Sequence, residues 1–287
     1  MNTVKKILVP VDLSDNSLHT TLYAIEYAKH HSARVIVFYN TIVPLIFGES
    51  ANYGDGIGKI NEEKMRQAYQ LEDTQAEAKL TNFKKRVADG ARAKHLSNVN
   101  VEYSVDFGAL VSDINIIVES DLIDMIMVGI ADENSPSKLS KNISELLLRK
   151  SKIPVFAIPE NASYHTFKEV IYATNFKKHS IEEIEQFLAI VKPLNVKTHC
   201  IHIGDMLNEE QEMEDIVKPH FRGNKSIDFF VLPDNGIVDS LSDFIKDHEV
   251  QLIALHAHRT TIWGQIFGEN KLESILHHVD IPILAIH

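Results

Sequence analysis

One phrase occurs twice in this chain. Lys5-Lys6-Ile7-Leu8-Val9-Pro10-Val11-Asp12-Leu13-Ser14-Asp15-Asn16-Ser17 returns as Lys168-Glu169-Val170-Ile171-Tyr172-Ala173-Thr174-Asn175-Phe176-Lys177-Lys178-His179-Ser180. Each version is a charged lead-in, an apolar run, a turn and a serine. Each half also closes alike, on Ile153-Pro154-Val155-Phe156-Ala157-Ile158 and on Ile281-Pro282-Ile283-Leu284-Ala285-Ile286. A repeated start with a repeated end defines two copies of one folding unit, so a fold that suits one copy must suit both. Two domains are expected, residues 1–159 and 164–287, joined by the polar stretch Pro159-Glu160-Asn161-Ala162-Ser163. At 287 residues the chain is long enough for each to bury a core.

Within each copy, apolar runs rich in β-branched residues alternate with helical spacing. In the first, Ile7–Val11, Val35–Tyr39, Val99–Val105, Leu122–Val128 and Val155–Ile158 read as strands buried on both faces. Helices are expected at Ser17–His31, with Ser14 or Asp15 as cap, at 61–96, at Val111–Ser120 and at Asn142–Lys150. In the second, the strands are Val170–Thr174, Lys197–Ile203, Ile227–Leu232, Leu252–Leu255 and Ile283–Ile286. Its helices are Ser180–Val191, Ile237–Asp247 and Asn270–His278. The copies are offset by 163 residues at their starts and 128 at their ends, so one insertion separates them, between the second and third strands of the first copy. Strands alternating with helices of this length predict an α/β fold, doubly wound on a parallel sheet with right-handed crossovers. In such folds ligands bind at the carboxyl ends of the strands, where the strand order reverses.

Charge and cysteine content narrow the function classes. A net charge of −11 with no Lys/Arg-rich run argues against nucleic acid and against an anionic membrane. The lone Cys200, inside a strand-like run, excludes a disulfide framework and is expected to be an inert core thiol. No apolar run approaches the roughly 20 residues of a membrane span, and the N-terminus lacks the apolar region of a signal peptide; a cytoplasmic protein is expected. No G-x-S-x-G, Walker A or H-E-x-x-H pattern occurs, so catalysis has no motif behind it.

The opening Val9-Pro10-Val11-Asp12-Leu13-Ser14-Asp15-Asn16-Ser17, the fourth strand ending Val128-Gly129 and the Ile153-Pro154-Val155 close together resemble the universal stress protein family, over essentially the whole chain as a tandem pair. The resemblance implies two Rossmann-like domains of the adenine nucleotide alpha hydrolase type, packed as an internal pseudo-dimer through Val155–Ile158 and Ile283–Ile286, with further self-association open. It also implies a cleft at Pro10, Val11, Asp12, Asn40, Val128, Gly129, Asn142 and Ile143. Nucleotide-binding members carry G-x2-G-x9-G-[S/T] after the fourth strand, where glycine backbone and a helix N-terminus approach the phosphates. The first copy keeps Asp12 and Gly129, then departs: Asp132 falls near the second glycine, Lys141 at the third and Asn142 at the Ser/Thr. In the second copy Asn175 replaces Asp12, His256 replaces Gly129 and Glu269-Asn270 replaces the last pair, so that copy is degenerate. The resemblance thus implies a non-enzymatic stress-response protein that binds a small ligand or protein partner with a degenerate nucleotide site. ATP remains the one cofactor open to the first domain, which would make the chain an ATP sensor or slow ATPase.

Four features carry alternatives. Asp12 suits an Asx-type turn with Ser14 or Asp15 as well as a ligand role. His202, His256 and His258 at strand ends raise a metal site in the second domain, although their spacing matches no established motif and they are not assigned as ligands. Trp263, in the apolar run Ile262–Phe267, either folds onto its own protein or offers an apolar-ligand or partner surface. The charged helix at 61–96 has a thin apolar stripe, Met65, Tyr69, Leu80, Phe83 and Val87, that suits a helix covering one sheet edge or docking a partner.

Overall fold

The computed structural model describes residues 4–41, 62–107, 110–130, 144, 146–148, 151–174, 176, 180–204, 210–233, 237–256 and 280–286. The expected helix at Asn270–His278, the Trp263 segment, and Asp132, Lys141, Asn142, Ile143, Asn175, His258 and Glu269 lie outside these residues. Ten strands form one sheet: β1 (Lys6–Val11), β2 (Arg34–Thr41), β3 (Val101–Phe107), β4 (Met125–Ile130), β5 (Val155–Pro159), β6 (Glu169–Ala173), β7 (Lys197–Gly204), β8 (Ile227–Pro233), β9 (Leu252–His256) and β10 (Ile283–Ile286). Their order is β3-β2-β1-β4-β5-β10-β9-β6-β7-β8. Each half is parallel throughout, as continuous apolar runs buried on both faces require.

The halves meet where β5 and β10 pair antiparallel, Phe156 opposite Leu284 and Ala157 opposite Ile283. These are the repeated Ile-Pro closing strands. The antiparallel seam relates the two strand orders as mirror images, so two five-stranded sheets become one.

Helices α1 (Asp15–His31), α2 (Glu62–Ala93), α3 (Leu110–Ser120), α4 (Ser180–Val191) and α5 (Ile237–Asp247) cover the sheet. Tyr23, Ala24 and Ala28 of α1, Leu80, Phe83 and Val87 of α2, and Ile184 and Phe187 of α4 share one core layer. Ile114 and Val118 of α3, Leu147 and Leu148, and Leu241 and Phe244 of α5 share the other. Each layer contains residues of both halves. Leu80, Phe83 and Val87 of the α2 stripe are therefore core residues, while the side chains of Met65 and Tyr69 lie outside those described. Between β7 and β8 a π turn (Met213–Val217) and a 3-10 turn (Lys218–Phe221) stand where the first half has α2, and Met213 and Val217 pack into the same layer.

One expectation needs correction. The fourth strand starts at Met125, not Leu122: Leu122 has φ +53° and is 73% exposed. The reason is Asp124, whose carboxylate accepts the backbone N–H of Lys5 at 2.8 Å and of Lys6 at 2.9 Å, fixing a turn beside the start of β1. The polar linker is also anchored. Pro159 ends β5, Ala162 is buried, and Tyr164 packs edge-on against Tyr23 with centroids 5.4 Å apart. Cys200 is fully buried and desolvation raises its pKa well above the usual thiol value, which suppresses the reactive thiolate. Among the described residues no helix is long and apolar enough to cross a membrane.

Three histidines are held toward the neutral form. Desolvation lowers the pKa of His19, helped by Lys94, and of His31, helped by His30. At His199 desolvation outweighs the Glu169 carboxylate 2.8 Å from its Nε2. Each group binds a proton less readily folded than unfolded. Its contribution is complete above the unfolded value of 6.5 and is lost as pH falls through the lowered folded values. The thermal midpoint should fall by a few degrees between about pH 7.5 and about pH 5. A midpoint that holds level across that range in a pH series of melting curves contradicts this burial.

Candidate functional site

The strand order of the first half reverses between β1 and β4, and its predicted cleft residues gather there. Leu8 pairs with Ile126, and the same register extended sets Val11 level with Gly129. On the other side Val11 pairs with Tyr39, so Asn40 lies level with Asp12. The structure therefore brings Pro10, Val11, Asp12, Asn40, Val128 and Gly129 to one edge of the sheet. Their side chains do different things. Pro10, Val11 and Val128 are buried and offer an incoming molecule only backbone, whereas Asp12 and Asn40 are half-buried.

Asp12 builds the turn that starts α1. Its Oδ1 accepts the Ser14 N–H at 3.1 Å and the Ser17 hydroxyl at 2.6 Å, while the Asp12 N–H donates to Ser17 Oγ at 3.0 Å. Ser14 is the N-cap, its Oγ accepting the Ser17 N–H at 3.2 Å. Leu13 takes a left-handed φ of +65° to make the turn, a conformation unusual for a branched apolar side chain. Arg86 of α2 clasps it, donating to the Leu13 carbonyl at 3.3 Å and pairing with Asp15. The Asx-type turn with Ser14 is thus present.

Gly129 sits against the same helix. A Cβ there would lie 2.5 Å from Thr20 Oγ1 and 2.9 Å from Asn16 Oδ1. Gly129 therefore lets β4 pass the first turns of α1, a packing reason for glycine that holds with or without a phosphate. Its carbonyl accepts the Ser144 hydroxyl at 2.7 Å, tying the following helix back to the strand end. Asn16 is 3% exposed, and among the described residues its Oδ1 has no hydrogen-bond partner.

Asn40 Nδ2 donates to Asp113 Oδ2 at 2.8 Å, joining the end of β2 to the first turn of α3. Asp106 of β3 lies opposite Asn40 in register. Asp12, Asp106 and Asp113 thus place three carboxylates along this edge. At a separation of 4 Å two unit charges repel by roughly 1 kcal/mol even in bulk water, and by more where water is excluded.

The second half replaces this polar edge with apolar groups. Ile203 stands at the position of Asn40 and pairs with Leu232. Phe176, in the place of Leu13, is fully buried and meets His202 and Phe229 edge-on. Of the three histidines only His202 and His256 lie among the described residues, and they are on separate strands. Strand β6 lies between the strands of His202 and His256, and His202 Nδ1 is 2.9 Å from the Thr174 carbonyl. Adjacent strands are about 4.8 Å apart, so these two strands are about 10 Å apart. Among the described residues no group of three or more His, Cys, Asp or Glu side chains could hold a metal ion.

Ser14, Asn16, Ser17, Thr20, Asp113 and Ser144 belong to this edge, and the sequence did not single out Asn16, Thr20, Asp113 or Ser144 as site residues. A cue existed for one of them. Asp113 opens a helix that follows the third strand, which in a doubly wound sheet places it at the carboxyl edge.

A doubly wound parallel sheet with its cleft at the β1–β4 reversal, repeated in tandem, defines a Rossmann-like α/β protein. The family model described as "Universal stress protein family" matches residues 3–159, more than half of the chain, and the chain belongs to that family. A universal stress protein from Archaeoglobus fulgidus DSM 4304 superposes over 99% of this chain and 96% of its own, with 17% identity and a TM-score of 0.61. A functionally unknown protein from Pseudomonas aeruginosa PAO1 superposes over 99% and 92%, with 12% identity and a TM-score of 0.54. At these identities the likeness is one of fold. No curated protein matches the chain significantly.

Proposed function

We propose that this tandem universal stress protein is a non-enzymatic, cytoplasmic stress-response protein that binds a small ligand or protein partner at the first-half cleft. Its units are residues 1–159 and 164–287, and its nucleotide site is degenerate. The observation that carries this reading is the Asp12–Ser14–Ser17 network. The carboxylate expected to approach a nucleotide's sugar, phosphates or metal instead receives a backbone N–H and a hydroxyl within its own turn. The Asp113 carboxylate is likewise engaged, by the Asn40 amide. What stays accessible is a polar, hydrogen-bonding edge suited to a neutral or cationic group.

A second reading, a slow ATPase confined to the first half, is favoured by the persistence of Asp12 beside Gly129 at the strand reversal. The two separate in a phosphate-release assay with magnesium and ATP. The proposed function predicts release equal to the protein-free blank. Release above blank that Asp12→Ala abolishes establishes the ATPase instead.

A further inference from the structure

The seam carries a cavity that the first-half cleft does not explain. On the face covered by α1 and α4, the sheet floor between those helices is open over about 440 Å³. Tyr27 and His31 of α1 form one wall, Ile190 of α4 and Leu194 just beyond it the other, with Phe156 and Leu284 in the floor. The hollow follows from the duplication. Pairing β5 with β10 sets α1 and α4 apart across the central strands. The connector after β5 covers part of the gap: Tyr164 lies against Tyr23 and Tyr27, and Phe167 lies 6.0 Å from Phe156. The connector thereby closes one side of the trough and bounds the rest as a pocket.

Its chemistry selects an occupant. No Lys, Arg, Asp or Glu of the described residues lines it. The one ionisable nitrogen base is His31, which stacks on Tyr27 at 4.1 Å between centroids. Ligand sites of 300–1,000 Å³ are typically apolar with a few polar groups that orient the guest. Apolar cavities roughly a third of this size stay dry and take up benzene-sized molecules. A charged guest would lose its hydration with no counter-charge in return, and an anion would also approach a protein of net charge −11.

We propose that this seam cavity binds one uncharged, largely apolar small molecule whose single hydrogen-bonding group meets the His31 ring. Desolvation keeps that ring toward its neutral form, able to donate or accept one hydrogen bond. The site uses residues of both halves, so its occupancy reports on the seam and not on the first-half cleft.

The test uses the full-length protein and the neutral fluorophore N-phenyl-1-naphthylamine. Its fluorescence should rise saturably to one site per chain. Displacement by 1-octanol should be at least ten-fold more effective than by octanoate. Leu194→Trp and Ile190→Trp, on partly exposed positions of the wall, should each weaken probe binding at least ten-fold with an unchanged urea midpoint. If one variant does not fold, the other decides. In parallel, 1-octanol should raise the melting temperature of the wild-type protein and leave that of the folded variant unmoved. Absent or unsaturable probe binding, equal displacement by octanoate, or wild-type affinity in a folded Trp variant overturns the proposal.

Discussion

Phe156→Ala should lower unfolding stability by about 3–5 kcal/mol, the range for removing a fully buried phenyl ring. Phe156 is 1% exposed and lies in β5 at the centre of the ten-stranded sheet. Its ring centroid is 6.0 Å from Tyr27 of α1 and 6.0 Å from Phe167 of the connector, and its backbone pairs with Leu284. The substitution removes packing from both halves at once, because one layer of the core crosses the seam here. Urea unfolding should show a lower midpoint with an unchanged slope. A loss below about 1 kcal/mol would mean that this ring is not the centre of a shared core.

Ala285→Pro tests the seam itself. Ala285 is fully buried and bonded on both sides, opposite Val155 in β5 and Leu255 in β9. Proline takes away its N–H and places a ring between central strands, which sheets tolerate only at edges. One backbone partner is left unpaired in a dry interior, which alone costs about 1–3 kcal/mol. The steric term adds to this. The wild-type protein should unfold in one transition, since both layers are shared. The variant should unfold in two, as the halves come apart before each melts. A single transition at the wild-type midpoint would show that the halves do not depend on β5–β10 pairing.

The repeat made the architecture legible in the sequence, since strand and helix identity depend on local periodicity that both copies state. Ser180–Val191, Ile237–Asp247 and Ile283–Ile286 lie where their apolar spacing placed them. The start of β4 was not legible. Leu122-Ile123 looks like strand, but the turn there is fixed by Asp124 bonding to Lys5 and Lys6, more than a hundred residues away. Tyr164 and Phe167 sit beside a polar linker, and only folding sets them against Tyr23 and Phe156.

The site divides the same way. The edge at which Asp12, Asn40 and Gly129 meet follows from fold class, because parallel strands bring their carboxyl ends together. The use of each group depends on non-local geometry. Asn40 is held by Asp113, 73 residues on. Gly129 was read as a phosphate glycine, and Thr20 and Asn16 of α1 give it a packing role as well, filling the space its side chain would take. Asp12 admitted two readings in the sequence, and the Ser14 N–H at 3.1 Å supplies the Asx-type turn of the structural one.

Whether Asp12 and its neighbours still serve a nucleotide is the point on which the functional account turns. Calorimetric titration of the full-length protein with ATP and magnesium, carried to millimolar ATP, addresses it most directly. The account predicts no saturable heat, with Asp12→Ala indistinguishable from wild type in the same titration. A saturable isotherm near one ATP per chain that Asp12→Ala removes would contradict it.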